Sequence, residues 1–133
     1  MTQEEERNLA VAERWVETYN DDVERMVDEC YAPDCEVQSM ATGEVLRGRE
    51  ELRALERAVS ALMPGRRMTV RRAIPAGDTV VMEVSAAGIE TGGASDACVV
   101  LTFRDGLIIS DHTYAQGPMT IAEILKAAEE PST

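Results

Sequence analysis

The stretch IPAGDTVVMEV, residues 74–84, is the part of the sequence that decides the fold. From Thr79 onward the stretch is rich in residues that favour a strand. The preceding Pro-Ala-Gly-Asp run is typical of a turn, and the residues before it, from Met68 to Ile74, favour a strand again. The stretch therefore predicts a β-hairpin.

The hairpin belongs to a longer run of predicted strands in the second half of the chain. The predicted strands are Met68 to Ile74, Thr79 to Ala87, Ala97 to Arg104 and Leu107 to Ala115. A glycine-rich turn around Gly92-Gly93 and the sequence Arg104-Asp-Gly106 separate the later ones, as expected for hairpin connections. This half of the chain predicts an antiparallel sheet.

Helices are predicted in the first half, where apolar residues recur every three or four positions. The two stripes are Leu9, Ala12, Val16, Tyr19 and Val23, and then Leu52, Leu55, Val59 and Leu62. Between them lie a short helix from Val23 to Tyr31, stopped by Pro33, and a strand from Cys35 to Met40. Thr120 caps a last predicted helix, Ile121 to Glu129.

Helices followed by hairpin-connected strands predict an α+β fold, with a curved, mainly antiparallel sheet and helices on its concave side. Nothing repeats and no linker divides the chain, so we expect one domain over residues 1–133, with its core at about 9–115 and the short C-terminal helix at 120–129.

The composition argues against several classes of function. A formal net charge of -12 is unfavourable for binding a polyphosphate backbone, so no nucleic acid is expected. Arg66, Arg67, Arg71 and Arg72 form the one basic stretch, for which a solvated strand face is favoured over an anion site. No apolar run is long enough for a membrane span and MTQEEERN lacks the pattern of a signal peptide, so we expect a cytoplasmic protein without a membrane partner.

Metal binding is not expected from the histidine and cysteine content. Cys30, Cys35 and Cys98 are an odd number with no C-x-x-C pair, and His112 is the only histidine. Reduced and mostly buried cysteines explain this pattern better than a zinc site does. We expect neither a metal nor another cofactor.

The stretch ISDHTY, residues 109–114, places an aspartate, a histidine and a tyrosine close together in sequence. In a regular strand, successive side chains point to opposite faces. Ile109, Asp111 and Thr113 therefore share one face, and His112 and Tyr114 share the other. Asp111 and His112 are not expected to act as a pair.

Five short segments resemble one family in their order and spacing. They are WVETYNDD (15–22), YAPDCEV (31–37), RGREEL (47–52), IPAGDTVVMEV (74–84) and FRDGLI (103–108). Together they resemble the SnoaL-like branch of the nuclear transport factor 2-like superfamily, which includes polyketide cyclases, limonene-epoxide-hydrolase-like proteins and ketosteroid isomerases. The resemblance implies a cone-shaped, cystatin-like roll that encloses an apolar pocket, with a homodimer formed through the outer sheet face. The fold alone does not name a reaction.

The resemblance also assigns faces and roles to residues. It implies that Val84, Ala86 and Thr113 point inward, and strand alternation then adds Met82 and Asp111. The catalytic groups of the isomerases and epoxide hydrolases fall at Trp15, Ser39, Val84, Ala86 and Thr113, so those groups are not retained. His112 would face outward, as a structural or interface residue.

The leading hypothesis is a small hydrophobic metabolite bound in an apolar pocket, with cofactor-free cyclisation, isomerisation or hydration if the protein is an enzyme. Asp111 would be the acid or base, because burial in apolar surroundings raises the pKa of a carboxyl group. The expected substrate-binding residues are Trp15, Tyr19, Ser39, Met82, Val84 and Thr113. The alternative is a non-catalytic ligand-binding or dimerisation domain on the same fold, with Asp111 at a solvated rim and Tyr19 as a core tyrosine.

Overall fold

The computed structural model describes residues 1–87, 95–115 and 120–130, and within them the chain forms four helices and six strands. The helices are α1 (Gln3–Asp21), α2 (Val23–Cys30), α3 (Gly48–Leu62) and α4 (Ile121–Glu129). The strands are β1 (Tyr31–Ser39), β2 (Val45–Arg47), β3 (Arg67–Ala76), β4 (Thr79–Ala87), β5 (Ser95–Arg104) and β6 (Leu107–Ala115). The predicted turn at Gly92-Gly93 lies outside the described residues.

All six strands form one sheet in the order β2-β1-β6-β5-β4-β3. Neighbouring strands are antiparallel except β1 and β6, which run parallel. The predicted α+β class and the mainly antiparallel sheet are confirmed. The sequence pattern missed β2, because three residues are too short to show an alternation.

The N-terminal helices are separated by a local cap. Thr2 and Glu5 form a capping box that starts α1, six residues before the apolar stripe begins at Leu9. Asp22 has extended backbone angles and accepts hydrogen bonds from the N–H groups of Glu24 and Arg25, so it ends α1 and caps α2. The chain therefore turns at Asp22 and α2 packs against α1.

The helices pack against one face of the sheet, where α1 contacts β3 and β4 while α3 contacts β1 and β2. Val80, Met82 and Val84 are almost fully buried on this face, which is the face that the family resemblance implies for them. They join Trp15 and Val16 of α1 and the inward residues of β5 in one apolar core. None of the described helices is long and apolar enough to cross a bilayer.

A β-bulge in β6 makes one prediction wrong. Ser110 pairs with Thr102 and Ile108 pairs with Phe103, so Ile109 is an extra residue without a partner in β5. As a result Ile108 is fully buried in the core, while Ile109, which was expected to share the face of Asp111, is only partly buried. The bulge shifts the alternation by one residue.

The boundary between α2 and β1 also differs from the prediction. Tyr31 was expected at the end of the second helix and is instead the first residue of β1, where it pairs with Ile108 of β6. The residue before a proline is disfavoured in a helix, and this restriction at Ala32 keeps the chain extended. The side chain of Tyr31 consequently enters the core, with 1% exposure.

The basic stretch divides into two environments. Arg71 and Arg72 are exposed and form ion pairs with Asp96 and Glu83 on the outer side of the sheet, as predicted for a solvated strand face. Arg66, which precedes β3, is partly buried and reaches α1 instead. The solvated strand face that was predicted for the whole basic stretch therefore describes Arg71 and Arg72 but not Arg66.

Candidate functional site

Four side chains form a continuous hydrogen-bonded chain inside the protein. Trp15 Nε1–H donates to the Tyr31 hydroxyl oxygen at 2.9 Å, and the Tyr31 O–H donates to Asp111 Oδ2 at 2.7 Å. Thr113 Oγ1–H donates to the other Asp111 oxygen, Oδ1, at 2.8 Å. Asp111 is 3% exposed, so both oxygens of a buried carboxyl group are held by protein donors. We call these four residues the aspartate network.

Three elements bring the aspartate network together. Trp15 lies on the buried side of α1, Tyr31 opens β1, and Asp111 lies in β6 between Val37 of β1 and Leu101 of β5. Both strand neighbours of Asp111 are buried and apolar. The carboxyl group therefore obtains its hydrogen bonds from side chains rather than from water.

Burial controls the acidity of this network. Loss of water contact raises the pKa of Asp111 above its ordinary value, and the hydrogen bonds from Tyr31 and Thr113 oppose this rise. The pKa of Tyr31 is also raised, by burial first and then by the neighbouring Asp111 charge. The Tyr31 hydroxyl consequently remains a donor to Asp111 at neutral pH.

A second carboxyl group, that of Glu56 in α3, enters the same interior. Its Oε2 atom is shut off from solvent and has no hydrogen-bond partner in the protein. Burial raises the pKa of Glu56 to about 7; the Arg66 charge opposes this rise and the Asp111 charge adds to it. Glu56 can therefore lose or accept a proton near neutral pH, and it is close enough to Asp111 for the two charges to interact.

Arg66 and Tyr19 border Glu56. The Arg66 guanidinium carbon lies 4.7 Å from the centre of the Tyr19 ring, and Nη2–H donates to the Tyr19 carbonyl at 3.0 Å. Burial raises the pKa of Tyr19 to about 12, with a further contribution from the Glu56 charge, which Arg66 opposes. Arg66 is thus held over α1 with its charge directed at the region of Glu56.

The residues expected from the sequence divide into four groups. Trp15, Asp111 and Thr113 meet in the aspartate network, whereas Tyr19 belongs to the neighbouring cluster with Arg66 and Glu56. Ser39 pairs with Thr113 across β1 and β6, and its backbone accepts and donates the hydrogen bonds of the β1–β2 turn. Met82 and Val84 pack in the apolar core.

The sequence analysis missed Tyr31, Glu56 and Arg66 as site residues. Glu56 had a usable signal, because a position four residues after Leu52 and three before Val59 lies on the buried side of a helix. Arg66 had none, since its direction depends on the loop between α3 and β3. Tyr31 was hidden by the helix boundary.

Two open grooves on the described part of the molecule are lined by neither Asp111 nor Glu56. One, of about 600 Å³, lies between α1 and β3 beside Val16, Asn20 and Met68. The other, of about 260 Å³, includes Cys98 and Tyr114. Among the described residues, no group of three or more histidines, cysteines or carboxylates is placed to hold a metal ion.

The fold and the buried polar residues define a class: α+β domains in which helices cover one face of a mixed sheet over an interior with carboxyl groups. The family model of the SnoaL-like domain matches residues 12–110. The chain therefore belongs to the SnoaL-like domain family. None of the curated proteins matches it in sequence.

Solved structures support the nuclear transport factor 2-like fold. A candidate SnoaL-like polyketide cyclase from Jannaschia sp. CCS1 is 15% identical with a TM-score of 0.77, covering 99% of this chain and 98% of that one. A candidate ketosteroid isomerase from Kribbella flavida DSM 17836 is 19% identical with a TM-score of 0.74, covering 86% and 82%. An NTF-2-like protein of unknown function from Burkholderia xenovorans LB400 is 20% identical with a TM-score of 0.75, covering 90% of each.

Proposed function

We propose that this protein binds a small, mainly apolar metabolite in its interior and transfers a proton on it without a cofactor, using Glu56 as the acid or base and Asp111 through its charge. The observation that carries the proposal is Glu56 Oε2, a buried carboxyl oxygen with no partner in the protein. An unsatisfied buried polar atom is unfavourable, so it calls for a partner that the ligand would supply.

Glu56 is the better placed of the two carboxyl groups to exchange a proton directly. Its pKa of about 7 keeps both protonation states populated at neutral pH, which suits a general acid or base. Asp111 already accepts hydrogen bonds at both oxygens. We assign Asp111 a role through its charge, which favours the protonated form of Glu56 and stabilises positive charge that develops nearby.

The remaining predicted residues would bind the ligand. Trp15, Met82 and Val84 would form apolar walls, while Ser39 and Thr113 would offer hydroxyl groups at paired positions of β1 and β6. Tyr19 would border the proton-transfer site beside Glu56. Apolar walls with a few polar groups are the usual composition of small-molecule sites.

Membership of the SnoaL-like domain family agrees with this class of reaction, since structural neighbours include candidate cyclases and isomerases. The family itself does not choose among them. Cyclisation, isomerisation and hydration all require a proton to be moved, so the proposal specifies the step that they share.

The second candidate function is a ligand-binding domain without catalysis. The observation that favours it is the closed hydrogen bonding of the aspartate network, in which both Asp111 oxygens are already held by protein donors. On this alternative, the network stabilises the fold and Glu56 only contacts the ligand.

Exchange of deuterium into ketones tests proton transfer before the natural substrate is known. Proton NMR would follow exchange at the carbon beside the carbonyl of cyclohexanone, α-tetralone and β-tetralone in D₂O. We expect the wild-type protein to accelerate exchange of at least one ketone, and Glu56→Gln and Asp111→Asn to lower that rate by on the order of 100-fold while remaining folded by circular dichroism.

Glu50→Gln is the matched control, since Glu50 lies on the same helix but is largely exposed. Its exchange rate should equal the wild-type rate. Wild-type exchange that survives in Glu56→Gln would remove Glu56 from the mechanism. Binding of the ketones without any exchange would favour the ligand-binding alternative.

We also propose that the protein forms a homodimer through the outer sheet face. A row of directly paired residues crosses five strands on that face: Ile74, Val81, Val100, His112 and Gln38. Its first three members are apolar, and the described helices pack on the other side of the sheet. A second copy of the chain would remove this apolar row from water.

A further inference from the structure

The sheet has an open edge at β3, beside the groove that separates this strand from α1. Within the described residues β3 pairs with β4 alone, so its other edge has no neighbouring strand. The groove has a volume of about 600 Å³, with Val16 and Glu17 on the helix side and Met68 and Val70 on the strand side. An open strand edge presents unpaired backbone groups, which can bind another extended chain.

The side chain of Asn20 shows which backbone groups of β3 point toward this groove. Its Nδ2–H donates to the Met68 carbonyl at 2.8 Å, and its Oδ1 accepts from the Met68 N–H at 2.7 Å. Both backbone groups of Met68 therefore point away from β4. Because this direction alternates along an antiparallel strand, the N–H and C=O groups of Val70 also point toward the groove.

Pro75 gives the direction at the other end of β3. A proline has no N–H donor and is accommodated in a sheet where its nitrogen faces a free edge, so Pro75 directs its nitrogen away from β4. Ala73, two residues earlier, shares this direction. A β-bulge at Arg71, which has no partner in β4, keeps Val70 and Ala73 on the same edge.

The open part of the edge is consequently short and has defined ends. Asn20 already occupies the backbone groups of Met68, and Pro75 has no N–H to donate. Between these ends, no described residue outside the sheet forms a backbone hydrogen bond with Val70 or Ala73. The edge can therefore pair with a short extended segment opposite residues 70–73.

The helix side of the groove is acidic. Glu17 and Asp21 lie one turn apart on the exposed side of α1, and both line the groove, which Arg67 borders from the strand. Within the described part of the chain, neither carboxylate forms an ion pair. The last turn of α1 also has no basic residue to balance the helix dipole, which favours a cation at this end. A positively charged side chain is complementary to this wall.

We propose that β3 and α1 form a docking site for an extended, lysine- or arginine-containing segment of a partner protein, which adds to the sheet as a further strand beside β3. The backbone of the segment pairs with Val70 and Ala73, and every second side chain faces α1. A basic side chain on that side contacts Glu17 and Asp21, while its aliphatic stem packs on Val16.

This docking site goes beyond the function proposed for the interior. The groove is lined by neither Asp111 nor Glu56, and none of its residues belongs to the aspartate network. Binding of the segment therefore requires no ligand in the interior, and it can be measured on the full chain alone.

Three peptides test the strand pairing and the charge preference. The probe is a short acetylated and amidated peptide in which threonine alternates with lysine. One control has glutamate in place of lysine, and the other has the probe sequence with N-methyl groups on its central residues, which removes their N–H donors. Threonine favours strands in all three peptides.

Titration of the full chain with each peptide, followed by proton–nitrogen NMR, locates and measures binding. We expect the lysine peptide to shift the amide signals of Val70 and Ala73 and to slow their hydrogen exchange. It should bind on the order of tenfold more tightly than either control, because one control is repelled by the acidic wall and the other cannot complete the strand pairing.

Substitution on α1 then assigns the charge preference to the groove. The double variant Glu17→Gln with Asp21→Asn should weaken binding of the lysine peptide roughly fivefold, as two partly exposed ion pairs predict. Glu4→Gln with Glu6→Gln is the matched control, since it removes the same charge from the first turn of the same helix, and it should keep the wild-type affinity. Equal weakening by both double variants would assign the effect to net charge and overturn the site.

Other outcomes overturn the proposal on the wild-type protein alone. Amide signals of Val70 and Ala73 that do not respond to the lysine peptide would exclude docking at this edge. Equal binding of the N-methylated peptide would exclude strand pairing, and equal binding of the glutamate peptide would exclude a basic partner. Hydrogen exchange at Val70 and Ala73 that slows with rising protein concentration, in the absence of peptide, would assign the edge to a second copy of the chain instead.

Discussion

Glu56 is the residue whose chemistry can be tested most directly through stability. Its pKa is raised from 4.5 to about 7 in the folded protein, so the folded state holds a proton that the unfolded state has released between those two values. Stability contributed by this group therefore falls as the pH rises from the unfolded pKa to the folded pKa, and is constant above it. Arg66, Asp111, Tyr19 and Tyr31 are the charged or titratable groups that interact with it.

Glu56→Gln should make the free energy of unfolding less dependent on pH. Between about pH 5.5 and about pH 8, we expect the wild-type protein to lose roughly 2 kcal/mol more than the variant, because only the wild type must ionise a buried carboxyl group. Urea unfolding of both proteins at the two pH values measures this difference. The effect of the glutamine amide on the free energy of unfolding is the same at both pH values, so it cancels. Identical pH profiles would contradict the raised pKa.

Tyr31 should be the most sensitive member of the aspartate network. Tyr31→Phe removes one acceptor and one donor, leaving Trp15 Nε1–H and Asp111 Oδ2 without their partner in a buried site. We expect a loss of roughly 2–3 kcal/mol in the free energy of unfolding and a change in the fluorescence of Trp15. Tyr114→Phe is the control, since Tyr114 is 49% exposed, and it should change stability by less than about 0.5 kcal/mol.

Whether the sequence could predict a site residue depends on what determines the direction of its side chain. Asp111 and Thr113 share a face by strand alternation alone, and the structure joins them by a hydrogen bond. Glu56 was accessible to the same kind of reasoning on a helix. Arg66 was not, because a loop conformation and an aromatic neighbour distant in sequence determine where its side chain goes.

At the scale of elements, periodicity predicted the interiors of helices and strands better than their ends. The residues of β4 and α4 match the prediction, whereas β1 begins at Tyr31 rather than Cys35 and the bulge in β6 exchanges Ile108 for Ile109 in the core. Bulges and strand ends depend on the pairing of neighbouring strands. The periodicity within one segment does not show how that segment pairs with its neighbours.

A contact between Glu44 and the start of α4 determines the local stability of that helix. Glu44 in the β1–β2 connection accepts hydrogen bonds from the N–H groups of Ile121 and Ala122 at 2.8 and 3.0 Å. These are among the first N–H groups of α4, which have no acceptor within the helix, and the carboxylate also interacts favourably with the helix dipole. A loop near the start of the sheet thereby holds the C-terminal helix.

Glu44→Gln should loosen α4 without affecting the sheet. We expect amide hydrogen exchange in residues 121–129 to accelerate by roughly tenfold, in line with the loss of about 1 kcal/mol for a helix cap, while exchange in β4 and β5 is unchanged. Glu36→Gln is a suitable control, because Glu36 forms an exposed ion pair with Arg47 and caps no N–H group of α4. Equal acceleration in α4 and in the central strands would show global rather than local destabilisation.

At the scale of the whole molecule, the fold class was predictable because two different periods occupy the two halves of the chain. The three-to-four spacing of Leu52, Leu55 and Val59 and the alternation of Val80, Met82 and Val84 require a helix and a strand that bury one face each. The parallel pairing of β1 with β6 was not predictable from either pattern, because it joins strands distant in sequence. That pairing is what brings Tyr31 near Asp111.

The last prediction concerns the dimer that we propose to form through the outer sheet face. Val100 lies at the centre of this half-buried row, paired with Val81 on one side and His112 on the other, and its side chain points away from the core. Val100→Glu would place a charge in the middle of the proposed dimer contact and leave the interior unchanged. Burial of an unpaired carboxylate is strongly unfavourable, so the dimer should dissociate or weaken on the order of 100-fold.

Sedimentation equilibrium over a range of concentrations measures this effect. The wild-type protein should give twice the chain mass of 14.6 kDa at high concentration, and Val100→Glu should give the chain mass with an unchanged circular dichroism spectrum. Ala54→Glu, at an exposed position of α3, is the control and should remain dimeric. A wild-type protein that is monomeric at all concentrations, or a Val100→Glu variant that dimerises normally, would exclude this face as the interface, because the charged side chain has no place in a packed apolar row.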